Sequence, residues 1–134
     1  MHNGYIDNFL YIVRDMADLI DHDAYANIKG STDSEHLAAL YITYLTDSGG
    51  RSTWERRFSV HRMRKALLKT ITTVIELQQK ALGDKNTPNA FNLATTDGQQ
   101  LLAFRVRNHA TEQPPSLYYS THAGCTMNRK FPDQ

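Results

Sequence analysis

Near the start of the chain, His2-Asn3-Gly4 sets a side-chain carboxamide beside a residue with no side chain, so an amide N–H and an unobstructed backbone N–H are neighbours. Alone, such a tripeptide reads as a turn, because Asn and Gly both tolerate positive φ. Further on, Ser31-Thr32-Asp33-Ser34-Glu35 has the Thr-x-x-Glu spacing of a capping box, with Asp33 in the first helical turn, where a carboxylate complements the helix dipole. Glu35 is the box partner and is given no other role. Cys125 is the only thiol, and His122 lies close before it. A catalytic thiol needs a depressed pKa and an oriented base, and nearness in sequence supplies neither, so Cys125 is not read as a nucleophile. Arg51, Arg56, Arg57, Arg62, Arg64, Lys65 and Lys69, with Trp54 and His61, could follow a phosphate backbone. Helical spacing gives the buried side there to Met63 and Leu67 and leaves the cations on a solvated face.

The elements that must position these residues run from helices to strands. Ile6, Phe9, Leu10, Val13, Met16, Ala17 and Ile20 recur at helical spacing and predict a helix from about Asp7 to Ile20, with Asp7 as its cap. A linker containing Gly30 leads to the Thr32 capping box. The second helix buries Leu37, Leu40, Tyr41, Tyr44 and Leu45 and stops before Gly49-Gly50. A third, the longest, is expected from about Ser59 to Leu82, with Met63, Leu67, Ile71, Val74 and Gln78 or Ala81 along one face and Gly83 as its stop. After Pro88, the runs 91–95 and 101–106 flank Asp97-Gly98 and predict a β-hairpin. A further strand is expected from Ser116 to Thr121, after the stiff Pro114-Pro115 pair, and Asn128 to Gln134 reads as open loop.

Composition bounds what these elements can do. A chain of 134 residues suits one hydrophobic core. Its net charge of +1 with neutral histidines creates no global field toward nucleic acid, a membrane surface or an acidic ligand. A single cysteine excludes an internal disulfide and a cysteine-based zinc cluster, which fits a reducing, cytoplasmic setting. No stretch reaches the ~20 apolar residues of a membrane span, and nothing resembles a signal peptide. Neither nucleic acid nor membrane is expected as a partner, and no metal or cofactor is expected.

Taken together, His2-Asn3-Gly4, an amphipathic helix and the Thr32-Asp33-Ser34-Glu35 box form a composite that resembles the class-II glutamine amidotransferase domains of the N-terminal nucleophile (Ntn) fold. Within that family, the runs 30–41, Arg107-Asn108-His109, 112–121 and Asn128-Arg129-Lys130 are similar to the amidotransferase-type subunit of the fungal glutathione-degrading complex. The likeness covers nearly the whole chain. It implies an α+β chain, three helices followed by about three antiparallel strands, forming part of a four-layer αββα sandwich. It also implies hydrolysis of a γ-glutamyl amide through a γ-glutamyl thioester. The Asn3 side-chain amide and the Gly4 backbone N–H match the oxyanion donors, which act when preorganised about 2.7–3.1 Å from the developing oxyanion. Asp33 matches the residue that holds the substrate's α-ammonium, a charge-assisted contact that also fixes orientation. Glutathione is the favoured substrate and glutamine the alternative, with a partner subunit of a glutathione-degrading complex implied beside them.

The departure from the family pattern is at the N-terminus. The family uses an N-terminal cysteine whose α-amino group assists the thiol, and here Met1 and His2 come first. Residues 1–134 are therefore expected to be a partial domain truncated at both ends, inactive alone, or a catalytically dead subunit that still docks on a partner.

Overall fold

The computed structural model describes residues 1–83 and 88–118. Its elements are β1 (His2–Tyr5), α1 (Phe9–Ala17), α2 (His22–Ala26), α3 (Asp33–Thr46), a short 3-10 turn (Arg51–Thr53), α4 (Val60–Leu82), β2 (Ala90–Thr96) and β3 (Leu101–Arg107). The chain is α+β, with one antiparallel sheet in the order β1-β2-β3 and the helices packed on one face of it.

The helices start and stop where local chemistry dictates. At α3 the Thr32 hydroxyl accepts from the Glu35 N–H, and α4 starts in the same manner at Ser59, whose hydroxyl accepts from the Arg62 N–H. Gly83 ends α4 at φ 65°, the left-handed geometry that suits glycine. At α1, Asn8 rather than Asp7 is the capping residue, itself left-handed at φ 53°, and the helix ends at Ala17 instead of Ile20. Residues 18–20 turn the chain into α2, a five-residue helix absent from the sequence expectation, because Asp21 caps it by accepting from the N–H groups of Asp23 and Ala24.

The core lies between the helices and the sheet. Ile12 and Met16 of α1, Leu37 and Leu40 of α3, Met63, Leu67, Ile71 and Val74 of α4, and Phe91 and Leu93 of β2 form it. Burying each of the large side chains contributes roughly 1.5–3 kcal/mol. One expected position differs, and one stated alternative is decided. Leu10 is 83% exposed and Ile12 takes its place in the core, while Gln78 rather than Ala81 continues the buried face of α4. Gln78 tolerates burial because its amide is matched to another: Gln78 Nε2 donates to Asn89 Oδ1 at 2.9 Å and Asn89 Nδ2 donates to Gln78 Oε1 at 2.7 Å.

The sheet corrects the expected element order. The hairpin forms as read, with Thr96 opposite Leu101 and Gly98 at φ 86° in the turn. The third described strand is not residues 116–118, the described part of the strand expected from Ser116 to Thr121. Residues 116–118 carry no strand, and 119–121 lie outside the described residues, as do Cys125, His122 and the segment 128–134. Its place in the sheet is taken by β1, the His2-Asn3-Gly4 segment itself, which pairs with β2 in the register His2 to Leu93, Asn3 to Asn92, Gly4 to Phe91 and Tyr5 to Ala90.

Candidate functional site

The turn-like tripeptide is thus a sheet edge, and the reason Gly4 must be glycine can be read from its neighbours. A Cβ at Gly4 would lie 1.9 Å from the carbonyl oxygen of Ala90 and 2.8 Å from its carbonyl carbon. Both are backbone atoms of the paired strand, so no side chain fits while β1 and β2 stay together.

The ladder also fixes where Gly4 points its N–H. The Met1 amine donates to the Ala94 carbonyl at 2.7 Å and the Ala94 N–H returns a bond to the Met1 carbonyl at 2.9 Å, so this pair exchanges both bonds. Antiparallel pairs alternate between bonded and non-bonded. Asn3 and Tyr5 therefore face β2 with their backbone groups, while His2 and Gly4 turn theirs to the outer edge of β1, which no strand among the described residues covers. The Gly4 N–H is presented to that open edge.

Asp33 reaches the same edge from α3. Its Oδ2 accepts from the Ile6 N–H at 2.7 Å, just past the end of β1, and its Oδ1 accepts from the Ser34 hydroxyl at 3.2 Å. The Ser34 oxygen in turn lies 2.9 Å from His2 Nδ1, whose ring stacks on Phe91. His2 and Ser34 thus tie the start of β1 to the first turn of α3. Sequence reading gave neither of them a role, although both sit inside the two motifs. A carboxylate has about four lone-pair sites, so Asp33, half-buried and with two partners, keeps capacity for a cation.

Asp33 is free for this because its neighbours do the capping. Glu35 Oε1 accepts from the N–H groups of Lys29 at 3.1 Å and Gly30 at 3.0 Å, and Oε2 accepts from the Thr32 hydroxyl at 3.0 Å. These bonds, the one from Lys29 foremost, hold the Glu35 carboxyl below its ordinary pKa. The glutamate's return arm therefore goes mainly to residues before the box. Its placement bears out Glu35 as structural.

Asn3 lies on the sheet face opposite the helices. It is exposed, and its side chain makes no hydrogen bond among the described residues. A groove of about 410 Å³ touches His2 and Ser34 and continues along Leu37, Ala38, Tyr41 and Leu67. It takes in none of Asn3, Gly4 and Asp33, and its walls are mostly apolar, so it suits apolar packing better than a charged head group. The basic stretch is a solvated surface: Arg62 donates to the Leu45 carbonyl and pairs with Asp47, Lys69 sits over the Tyr44 ring, and Arg56, Arg57, Arg64 and Lys65 are exposed. No helix among the described residues is long and apolar enough to cross a membrane.

An open strand edge with a glycine N–H, a carboxylate beside it and a free carboxamide next in sequence is an arrangement suited to amide chemistry. The probable glutamine amidotransferase DUG3 of Saccharomyces cerevisiae is 36% identical to it over 124 residues, 90% of this chain. Those residues are 34% of that protein, so the chain spans about a third of the length of the curated relative it matches. No family model matches the chain, and no solved structure matches it.

Proposed function

We propose that this chain is the part of an Ntn-type amidotransferase domain that binds the γ-glutamyl head of a substrate and stabilises the oxyanion formed from it. One observation carries the reading: Asp33 holds the Ile6 N–H at 2.7 Å on the outer edge of β1, the edge to which the alternation of the ladder also turns the Gly4 N–H. Residues two apart on a strand are spaced by roughly 6.8 Å. A γ-glutamyl group spans about 5 Å from ammonium to γ-carbonyl carbon. An ammonium at Asp33 therefore sets the γ-carbonyl near Gly4. Attack on that carbon places negative charge on its oxygen, and the Gly4 N–H with the Asn3 carboxamide supplies two donors to it.

The nucleophile on this reading is an N-terminal cysteine supplied by polypeptide outside these residues, in a completed αββα sandwich. Glutathione is the favoured substrate and glutamine the second, because both carry the same head group. The work is placed in the cytoplasm, with a protein partner in a glutathione-degrading complex.

The test uses a longer protein that carries the nucleophile. Asn3→Ala lowers kcat by roughly 10²–10³-fold, since the oxyanion exists mainly in the transition state. Asp33→Asn raises KM most, and it worsens a γ-amide lacking the α-amine far less than it worsens glutathione. Equal losses on both substrates would reduce Asp33 to a strut between α3 and β1 and sink the assignment.

A further inference from the structure

The carboxamide of Asn92 is the cross-strand neighbour of Asn3 and shares its sheet face. It is 2% exposed, and its two ends are treated differently. Nδ2 donates to the carbonyls of Pro115 at 3.3 Å and Ser116 at 3.4 Å, which cross this face of the sheet. Oδ1 is buried and has no hydrogen-bond partner. The two carbonyls accept only, so turning the amide over would set oxygen against oxygen; the orientation with Oδ1 unmatched is the one the strap enforces.

A buried acceptor left unmatched costs about 1–3 kcal/mol, so a donor within reach is favoured. Two residues flank Asn92 on this face, Arg105 from β3 and Asn3 from β1. The Arg105 guanidinium is committed to the strap, with Nε donating to Pro115 at 2.9 Å and an Nη donating to Pro114 at 2.6 Å. Asn3 is exposed and uncommitted, and directly opposed side chains in an antiparallel pair have Cβ atoms about 4.5–5.5 Å apart. We propose that Asn92 is a positioning residue: its Oδ1 accepts one N–H of the Asn3 carboxamide and so aims the other toward the edge where the Gly4 N–H lies. This rests on the reading of Asn3 as an oxyanion donor. A carboxamide free to turn over must be reoriented N–H first as the oxyanion forms; one proton anchored on Asn92 sets that orientation in advance.

The contact can be measured on residues 1–134 without substrate. In a ¹⁵N-labelled sample, the Asn3 side-chain amide protons are expected to exchange about tenfold more slowly than those of a free asparagine, with one proton shifted downfield. Asn92→Leu keeps the volume and removes the acceptor, and it returns the Asn3 amide signals to free values while the backbone signals of β3 stay in place. Unchanged Asn3 signals overturn the proposal. Should Asn92→Leu fail to fold, Asn3→Asp decides, because the introduced carboxyl faces an acceptor and is favoured in its protonated, donating form. Its pKa rises by about one unit above that of a surface aspartate, and an ordinary or lowered value overturns the proposal. Arg105 and Arg107, the cations on this face, would both lower it, and the Glu112 carboxylate is paired with Arg107, so a rise that persists in Glu112→Gln is not produced by these charges. If the contact is found by these measures and the longer protein that carries the nucleophile then proves hydrolytically inert, the proposed function fails and the Asn92–Asn3 pair stands.

Discussion

The two ends of α3 are both surrounded by carboxylates, yet those carboxylates are used differently. At the C-terminal end each is taken up by the scaffold. Asp21 accepts from two N–H groups of α2 and from the Thr43 hydroxyl, Asp23 from the Arg51 N–H, and Asp47 pairs with Arg62. At the N-terminal end Thr32 and Glu35 carry the capping, and Asp33 is left with one backbone N–H from another element and one neighbouring hydroxyl. A helix terminus that delegates its capping frees an acid for a different task.

The largest expected difference between the ends concerns glycine. At the N-terminal end Gly4→Ala drives a methyl into the Ala90 backbone, and neither strand can yield without losing the pairing. At the other end Gly50, at φ 65°, would meet only the Asp23 carboxylate at 2.7 Å, a side-chain atom that can shift at the expense of its bond to the Arg51 N–H. Gly50→Ala should cost about 1–3 kcal/mol for a backbone region essentially restricted to glycine. Gly4→Ala should cost about 3 kcal/mol or more and release β1 from the sheet. Urea unfolding with amide exchange at Asn3 and Tyr5 measures both. A Gly4→Ala variant no less stable than Gly50→Ala would mean that β1 does not approach β2 this closely.

Next in size is the exchange of the two acids. Asp21→Ala removes a cap and should cost about 1–2 kcal/mol. Asp33→Ala should cost less, because it strips one backbone N–H of its partner where Asp21→Ala strips two. Denaturant midpoints with constant slopes settle the order. Were Asp33→Ala the more costly, its carboxylate would be a structural strut first, and its place in substrate binding would weaken.

How much of this was legible depends on how local each feature is. The Thr32–Glu35 box, the Ser59–Leu82 helix with its Gly83 stop, and the hairpin around Asp97-Gly98 are written in contiguous residues, and they were read with nearly the right bounds. β1 was not, because four residues containing Asn and Gly have little strand propensity and become a strand only by pairing with a segment distant in sequence. The helix of α1 was placed, but with Phe9, Leu10, Tyr11, Ile12 and Val13 all apolar or aromatic, periodicity alone could not choose between Leu10 and Ile12 for the core. Asn3, Gly4 and Asp33 were named through resemblance. The bond from Ile6 to Asp33 that sets Asp33 at the strand edge crosses between elements and leaves no trace in spacing.

The smallest effect is the order in which the two ends loosen in acid. Glu35 and Asp23 both have folded pKa values lowered from their ordinary ones, Glu35 chiefly by the Lys29 N–H and Asp23 chiefly by the Arg51 N–H. A lowered folded pKa means that the unfolded chain takes up the proton first. The stability each group contributes is then complete above its unfolded pKa and is lost as pH falls through the folded one. The unfolded values are 4.5 for Glu35 and 3.8 for Asp23, so the decline begins at higher pH at the N-terminal end. In an amide-exchange titration, the N–H groups of Lys29 and Gly30 should therefore lose protection before that of Arg51. Both carboxylates are at the surface, so the steps should be shallow and should shrink further in salt. If Arg51 loses protection first, the capping at Glu35 is the tighter of the two, and the N-terminal end of α3 is built to hold its shape rather than to adapt around a substrate.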